Sequence, residues 1–415
     1  MANPDQTALL ALAAQHLYPN YRQAPCVFVR GKGCELWDKA GKRYLDLAAG
    51  VAVSSLGHAH PRYVAALSEQ VGRLVHMSNY FYNEPNILLA SELCRRTGMD
   101  RAFFCSTGTE ANEALLKLAR HYFFGKGQKD RYRIIAFEEA FHGRTLGALS
   151  MTGRAKYREG FGPYEGGVTH VAYGDVAAVR RAMGPDVAAI VAEPVQGEGG
   201  VVPAPPDFLA ELRAIADEAG ALLLLDEVQT GIGRTGSFLA CQAAGVVPDA
   251  IALAKGLGGG FPVGAMLCRE HLAGALPPGS HGSTYGGNAL ASTAALTVLA
   301  VLDEENLVEG ARKKGNYLSK ALSAVCARHP DLVGPERGQG LLRAVPLKAG
   351  VEPRSVLAAL RERGVLLIVA GDAAIRFCPP LVVTEAELDE GVRTFDDVLA
   401  SLRRPKDAQI GGAPA

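Results

Sequence analysis

The sequence predicts an α/β fold: a large domain with a mainly parallel sheet and helices on both faces, plus a smaller α+β domain. Between residues 102 and 300, short apolar runs alternate with amphipathic helical stretches, which is typical of βαβ units. These runs are continuously apolar, as expected for strands buried on both faces of a sheet. At 415 residues, the chain is long enough for two or three domains in one compact body.

Five apolar runs are the candidate strands of the central region: 133–137, 187–194, 220–227, 249–255 and 263–268. Between the second and third of these runs, the stretch PDFLAELRAIADEAG opens with Pro206 and Asp207 and ends at Gly220. Its apolar residues recur at helical spacing. This segment is therefore predicted to be a helix that crosses over between two parallel strands.

The two ends of the chain are predicted to form the smaller domain. After one helix, VFVRGKGCELWDKAGKRYLDL is expected to form a hairpin of two short strands joined through DKAGK. From about residue 310 we expect a helix, the strand GLLRAVPL, another helix, the strands GVLLIVA and IRFCPP, and a last helix. The predicted division is an N-terminal segment of the small domain, a large cofactor-binding domain, a C-terminal small domain and a flexible tail: 1–60, 61–305, 306–402 and 403–415.

Composition argues against several classes of protein. Lys and Arg together number 43, as do Asp and Glu, so no overall charge favours nucleic acid or an anionic membrane. The longest apolar runs are too short to span a bilayer, and the N-terminus lacks the basic segment of a signal peptide. The eight cysteines form no CxxC pair and lie near no histidine at zinc spacing. We therefore expect reduced thiols, no metal site and a cytoplasmic protein.

Lys255 stands between an apolar and a glycine-rich run in PDAIALAKGLGGGFPVGAM. A buried lysine loses solvation and responds by lowering its pKa. It is then either a member of a buried ion pair or an amine that attacks a carbonyl. On these residues alone, a lysine at a strand end whose amine reaches water is an equal alternative.

Polar residues follow four of the candidate strands, and the carboxyl ends of such strands form the ligand-binding edge of an open α/β sheet. Each residue alone could cap an element or lie at the surface, but their convergence on one edge predicts a functional site. They are Phe141, His142 and Arg144 after the first run, Glu193, Gln196 and Glu198 after the second, Asp226 and Gln229 at the third, and Lys255 at the fourth.

Two clusters of hydroxyl groups and glycines are compatible with phosphate binding. Ser106, Thr107 and Thr109 surround Gly108 at the start of a predicted helix, where an N-cap needs only one hydroxyl. Backbone N–H groups at such a helix end bind phosphate, which favours phosphate over a plain cap here. The second cluster, HGSTYGGN at 281–288, fits phosphate or a bare turn equally well.

A lysine, a buried carboxylate, a phosphate cradle and an aromatic residue before an arginine together fit pyridoxal phosphate. That cofactor needs a lysine for its aldehyde and an acid beside its ring nitrogen, and Lys255 and Asp226 are the candidates. A nucleotide-binding interpretation of GLGGG fails, because no GxGxxG follows the first strand and no Walker lysine is present.

Eight ordered motifs resemble those of the class III (ornithine/acetylornithine type) aminotransferases of PLP-dependent fold type I, from about residue 20 to about residue 402. The motifs are LDLAAGVAVSSLGHAHP, STGTEANEALLKLAR, FHGRT, EPVQGEGGV, LLLDEVQTGIGRTG, LAKGLGGGFPVGA, STYGGN and IRFCPPLVVTEAELDEG. The chain departs from the family at Ser106 and Thr107, where Asn-Ser is more common. A hydroxyl survives there, so we expect phosphate binding to survive with an altered fit.

The resemblance implies how pyridoxal phosphate is bound. The implied contacts are a covalent bond to Lys255, the ring nitrogen on Asp226, the phenolic oxygen near Gln229, stacking on Phe141, and the phosphate on Thr107 and Gly108. Once displaced, Lys255 is expected to move the proton between substrate and cofactor. Thr284 is expected to reach the phosphate of the partner subunit, with Ser283 beside it on the substrate side, so the active site would need a homodimer.

The resemblance also implies that arginines set the substrate class. Arg144 is expected to bind a substrate carboxylate, and Arg376 the α-carboxylate of glutamate or 2-oxoglutarate. Glu198 is expected to pair with Arg376 while the amine donor is bound, because one carboxylate can replace another on an arginine. A permanent structural Glu198–Arg376 bridge is the alternative. His142 is either catalytic or a packing residue.

The implied activity is transfer of the terminal amino group of N2-acetylornithine to 2-oxoglutarate, giving N-acetylglutamate 5-semialdehyde and glutamate, a step of arginine biosynthesis. Related donors are alternatives, because one methylene or acyl cap changes binding by only about 1–3 kcal/mol. These donors are N-succinyl-diaminopimelate, succinylornithine, ornithine, lysine and 4-aminobutyrate. An aminomutase and a non-catalytic binding protein are the hypotheses from other classes.

Overall fold

The computed structural model describes residues 5–164 and 166–402, so the predicted flexible tail at 403–415 lies outside the described residues. Near the N-terminus, the predicted two-strand hairpin was wrong, because the stretch forms a three-stranded antiparallel meander. Gly33, with φ +56°, permits an additional tight turn after Lys32. The elements up to residue 97 are α1 (Gln6–His16), β1 (Phe28–Lys32), β2 (Glu35–Asp38), β3 (Arg43–Asp46), the short turn α2 (Ala49–Ala52), α3 (Pro61–Arg73) and α4 (Glu84–Thr97).

The central region forms a seven-stranded sheet with helices between its strands, as predicted. Its strands, with the β8–β9 hairpin, are β4 (Arg101–Cys105), β5 (Arg133–Phe137), β6 (Val168–Val171), β7 (Val187–Ala192), β8 (Val195–Gln196), β9 (Val202–Pro203), β10 (Leu222–Asp226), β11 (Ala250–Leu253) and β12 (Gly264–Cys268). Its helices are α5 (Gly108–Gly125), α6 (Leu146–Met151), α7 (Ala155–Arg158), α8 (Val176–Ala182), α9 (Phe208–Ala219), α10 (Ala240–Ala243) and α11 (Ala289–Glu304).

The sheet order is β4-β12-β11-β10-β7-β5-β6, and β12 alone runs in the direction opposite to the other six strands. Every residue of β7, β10, β11 and β12 is buried, which confirms the prediction from continuous apolar runs. Three strands end earlier than predicted: β7 stops before Glu193, β10 stops before Glu227, and β11 stops before Lys255. Glu193 and Lys255 therefore follow the strands and face the open edge of the sheet.

The C-terminal region contains α12 (Leu307–Arg328), β13 (Arg337–Gln339), β14 (Leu342–Pro346), α13 (Pro353–Glu362), β15 (Val365–Leu366), β16 (Ile368–Ala370), β17 (Ala374–Phe377) and α14 (Glu385–Leu402). The apolar run GVLLIVA, predicted as one strand, is shared by two sheets. β15 pairs in parallel with β3, whereas β16 joins the β13-β14-β17-β16 sheet. The β1-β2-β3-β15 sheet is therefore built from both ends of the chain, as predicted, whereas the β13-β14-β17-β16 sheet is built from the C-terminal region alone. The numerical domain boundaries stay predictions.

Helix α12 approaches the loop after β13 so closely that only glycine fits. A Cβ at Gly315 would overlap the backbone of Gly340, whereas a Cβ at Gly310 on the same helix meets only the flexible Lys314 side chain at 3.6 Å. Gly315 is buried within the helix. The two glycines therefore differ in packing but not in secondary structure.

We expect Gly315→Ala to lower the free energy of unfolding by about 1–3 kcal/mol, because the contact with Gly340 forces backbone movement. Gly310→Ala, the matched control, should raise it by up to about 1 kcal/mol through helix propensity. Urea unfolding of both variants measures the difference. Equal effects of the two substitutions would contradict the close approach.

Candidate active site

A cavity of about 440 Å³ opens at the carboxyl ends of β5, β7, β10 and β11. Its size and position are typical of a small-molecule site in an α/β protein. Eight of the predicted site residues line it: Thr107, Gly108, Phe141, Arg144, Glu198, Asp226, Gln229 and Lys255. The convergence expected from the sequence is therefore present in the fold.

Lys255 begins a single 3₁₀ turn directly after β11 and faces this cavity. Its backbone has φ +45°, a left-handed conformation that is uncommon for a residue with a side chain. Such strain persists only where the surrounding structure fixes it, and it is concentrated at functional sites. Burial lowers the pKa of the Lys255 amine, although the nearby Glu198 carboxylate opposes that shift. A lower pKa increases the share of neutral, nucleophilic amine.

Asp226 ends the buried strand β10 and is only 4% exposed. Its Oδ2 accepts hydrogen bonds from Asn112 Nδ2 at 2.7 Å and from His142 Nδ1 at 2.8 Å. Its Oδ1 accepts one from the Val228 N–H at 3.0 Å. A carboxylate offers about four lone-pair sites, so one remains for a donor in the cavity.

His142 is fully buried and lies directly beside Asp226. Burial lowers the pKa of His142, but the Asp226 carboxylate outweighs burial and the net shift is upward. Asn112 was not predicted as a site residue. Its signal in the sequence was a polar side chain on the apolar face of α5, four residues after Gly108.

Glu193 joins two loops of the site through its carboxylate. Oε2 accepts the Phe141 N–H at 3.0 Å, and Oε1 accepts the Gly197 N–H at 3.3 Å. Burial raises the pKa of Glu193 to about 7, with the Asp226 charge adding to that shift and His142 opposing it. The sequence placed Glu193 at the correct sheet edge but did not predict that it fixes these loops.

The start of α5 forms one end of the cavity. Thr107 caps the helix by accepting the Glu110 N–H at 3.3 Å, so one hydroxyl performs the ordinary capping role. Ser106 and Thr109 also line the cavity. A Cβ at Gly108 would lie 2.8 Å from Val228 Cγ1, so a side chain there would crowd the cavity wall. The Glu110 carboxylate already accepts the Ser106 N–H at 3.0 Å and the Thr107 hydroxyl at 2.9 Å, so an anion would meet the backbone N–H groups at Gly108 and Thr109.

Arg376 on β17 lies beside the cavity and connects three of its groups. Its Nη1 donates to Glu198 Oε1 at 2.6 Å, to Gln229 Oε1 at 2.9 Å and to the Gly197 carbonyl at 3.3 Å. Burial raises the pKa of Glu198, but Arg376 and Lys255 outweigh burial and the net shift is downward. The predicted Glu198–Arg376 pair is therefore formed, and Glu198 is ionised beside the lysine.

Ser283 and Thr284 do not line the cavity of their own chain. Ser283 Oγ accepts the Gly286 N–H at 3.1 Å, and Asn79 donates to the Ser283 carbonyl at 2.8 Å. Thr284 is exposed. Their predicted roles toward a partner subunit stay predictions.

The family model for aminotransferase class-III matches residues 17–399. The chain belongs to the class III aminotransferases. An acetylornithine aminotransferase from Myxococcus xanthus is 49% identical over 383 residues, 92% of this chain and 95% of that protein. A succinylornithine transaminase from Photorhabdus laumondii is 42% identical over 388 residues, 92% of this chain and 96% of that protein.

Among solved structures, the ornithine aminotransferase from Toxoplasma gondii, with PLP at partial occupancy in its active site, has a TM-score of 0.92. It is 34% identical, covering 95% of this chain and 94% of that chain. The resemblance and the PLP-dependent fold type I predicted from the sequence are thus confirmed. This class III aminotransferase uses pyridoxal phosphate as its cofactor.

The cavity fits pyridoxal phosphate on its own chemistry. It holds an amine of lowered pKa at Lys255, one open acceptor position on the buried Asp226, and the N-terminal end of α5 at Gly108. An aldehyde, a protonated ring nitrogen and a phosphate would each meet a complementary group.

The raised pKa of Glu193 predicts a pH-dependent stability. Unfolding restores an ordinary carboxyl, so between about pH 4.5 and 7 the unfolded state releases a proton that the folded state retains. The free energy of unfolding of the cofactor-free protein should therefore fall by about 2–3 kcal/mol over this range relative to Glu193→Gln.

Urea unfolding of both proteins at several pH values measures this difference. Glu69→Gln on α3, where the carboxylate is 74% exposed, is the control for surface charge. A difference between wild type and Glu193→Gln that stays constant with pH would contradict the assignment.

Proposed function

We propose that this aminotransferase moves the terminal amino group of N2-acetylornithine to 2-oxoglutarate, giving N-acetylglutamate 5-semialdehyde and glutamate in arginine biosynthesis. The ionised Glu198–Arg376 pair beside Lys255 carries this proposal, because the two substrates differ at that position. The keto acid and glutamate each carry a carboxylate that can replace Glu198 on Arg376. The end of the donor that carries the terminal amine has no such carboxylate, so Glu198 stays paired. The acetylornithine activity of the Myxococcus relative supports this choice of donor.

In this mechanism each residue acts at a stated atom. Pyridoxal phosphate supplies a carbonyl carbon that takes up the amino group and a ring that withdraws electrons. Lys255 Nζ, whose pKa burial lowers, would hold the cofactor covalently. After the donor's amine has displaced it, the free Nζ would carry the proton at the substrate carbon. Asp226, held by His142 and Asn112, would accept the hydrogen bond of the ring N–H. Phe141 provides the stacking surface.

Phosphate would be held by Thr107 and Gly108, and Gln229 would lie near the phenolic oxygen. Gln229 already accepts from Arg376 at 2.9 Å and so connects cofactor and keto-acid sites. Arg144 would bind the carboxylate of the donor at the rim. His142 acts through Asp226 and is a positioning residue in this scheme.

Succinylornithine is the second candidate donor, because the Photorhabdus relative is a succinylornithine transaminase with 42% identity. Both donors carry the same terminal amine and an acylated α-amino group. They differ only in the acyl group.

A cytoplasmic homodimer completes the proposal. Aromatic side chains next to the exposed Thr284 segment support a second copy: Tyr80 is 92% exposed, Tyr82 90% and Tyr285 64%. Such exposed aromatic area is typical of an interaction surface. Ser283 and Thr284 would then complete the partner's site.

The unpaired cysteines agree with a reducing compartment. None of the helices in the described part of the chain has the length and apolarity that crossing a bilayer requires.

The proposed donor is tested by adding amines to the yellow holoenzyme without keto acid. N2-acetylornithine should convert the lysine-bound cofactor to its amino form at the lowest concentration, ahead of succinylornithine, ornithine and 4-aminobutyrate. Absorbance spectra follow this conversion. Preferred conversion by another amine would reassign the donor.

Lys255→Ala should abolish the band of the lysine-bound cofactor and lower turnover by at least about 10⁴-fold, because it removes both nucleophile and proton carrier.

The exchange of carboxylates on Arg376 is tested with Glu198→Gln. Loss of a charge-assisted partner worth about 1.5–3 kcal/mol should lower the preference for N2-acetylornithine over glutamate, in single half-reactions, by about 10- to 100-fold. Glutamate should then bind more tightly, since it no longer displaces Glu198. Equal losses with both donors, together with a lower unfolding midpoint, would indicate a permanent structural bridge instead.

A further inference from the structure

Arg144 lies at the cavity rim with its guanidinium stacked on aromatic rings. Its Cζ is 4.1 Å from the centroid of the Tyr157 ring and 5.3 Å from that of Phe141. Within the described residues, no carboxylate forms an ion pair with Arg144. Its backbone N–H donates to Thr109 Oγ1 at 3.1 Å, so the backbone is anchored while the long side chain depends on the rings.

Tyr157, on α7, is itself held firmly. Its ring stands edge-on to Phe141, with centroids 5.9 Å apart and an interplanar angle of 86°. Arg154, only 4% exposed, has its Cζ 5.5 Å from the Tyr157 centroid and pairs with Glu139 at 2.7 Å and Asp372 at 2.8 Å. The Tyr157 ring therefore has a fixed position next to the stacking surface of the cofactor.

Stacking on an aromatic ring fixes a guanidinium without occupying its N–H groups. All of these donors lie in the guanidinium plane, so an arginine held by its face keeps its edge free for a carboxylate. A carboxylate partner would instead compete with the substrate for that edge. Side-chain freedom that Arg144 would otherwise lose on binding is already lost in the free protein.

We propose that Tyr157 is a specificity-determining positioning residue, which holds Arg144 for the donor's carboxylate and so favours donors that carry one. This inference rests on the proposed role of Arg144 and deepens it. The sequence motif FHGRT contains Arg144 and Phe141, but Tyr157 lies thirteen residues further on and joins them only through the fold.

Two donors that differ in a single group provide the test: N2-acetylornithine and N-acetylputrescine, which lacks only the carboxylate. Half-reaction rates are measured on the holoenzyme as the rate constant divided by the dissociation constant. Tyr157→Leu should lower the preference for N2-acetylornithine by about 3- to 30-fold, the range of one cation–π contact. Tyr157→Phe, the matched control, retains the ring and should change this preference by less than about twofold.

A third variant separates this inference from the proposed function. Arg144→Met should abolish the preference, and adding Tyr157→Leu to it should cause no further change, as in a double-mutant cycle. If Arg144→Met shows the same preference between the two donors as the wild type, the role of Arg144 is wrong and the proposed donor site fails with it. If Arg144→Met removes the preference but Tyr157→Leu leaves it intact, or slows both donors equally, only the role of Tyr157 is overturned.

Discussion

A buried carboxylate is the charge on which the site depends. Asp226 sits at the end of a fully buried strand, where an unpaired charge would cost several kcal/mol. Asn112, His142 and the Val228 N–H offset that cost, and together they hold both oxygens in place. Lys255, one strand away, experiences the same low dielectric without a comparable set of hydrogen bonds. Burial in this environment thus lowers the pKa of the Lys255 amine and brings it toward its neutral form.

Much of this arrangement could be predicted from the sequence. Continuous apolar runs predict the buried strands, and the polar residues that follow each run are predicted to lie at the open edge of the sheet. Lys255, Asp226, Phe141 and Glu198 were predicted in this way. Asn112 and Tyr157 were not, since each reaches the site from a helix by packing across the fold. The small sheets were harder still. The turn at Gly33 is a local hairpin that was not predicted from the sequence, and the division of GVLLIVA depends on β3, a pairing partner that is distant in the chain.

The groups proposed to bind the substrate lie where the large sheet meets the C-terminal sheet. Glu198 lies in the connection between β8 and β9, whereas Arg376 belongs to β17. A second connection runs from α7 through Lys156 and Arg154 to Asp372, just before β17. Arg144 and Arg376, which are proposed to bind substrate carboxylates, are therefore both positioned by contacts that cross from one sheet to the other. Small relative movements of these sheets would alter both anchors together.

The division of GVLLIVA between two sheets has a consequence for how the protein is made. β3 lies near the start of the chain, yet the strand that completes its sheet, β15, is synthesised roughly 300 residues later. During translation, the edge of β3 stays unpaired until most of the polypeptide has left the ribosome. Exposed strand edges of this kind invite pairing with other chains. The large domain can acquire its sheet first, so the N-terminal meander is expected to be the last part of the molecule to become protected.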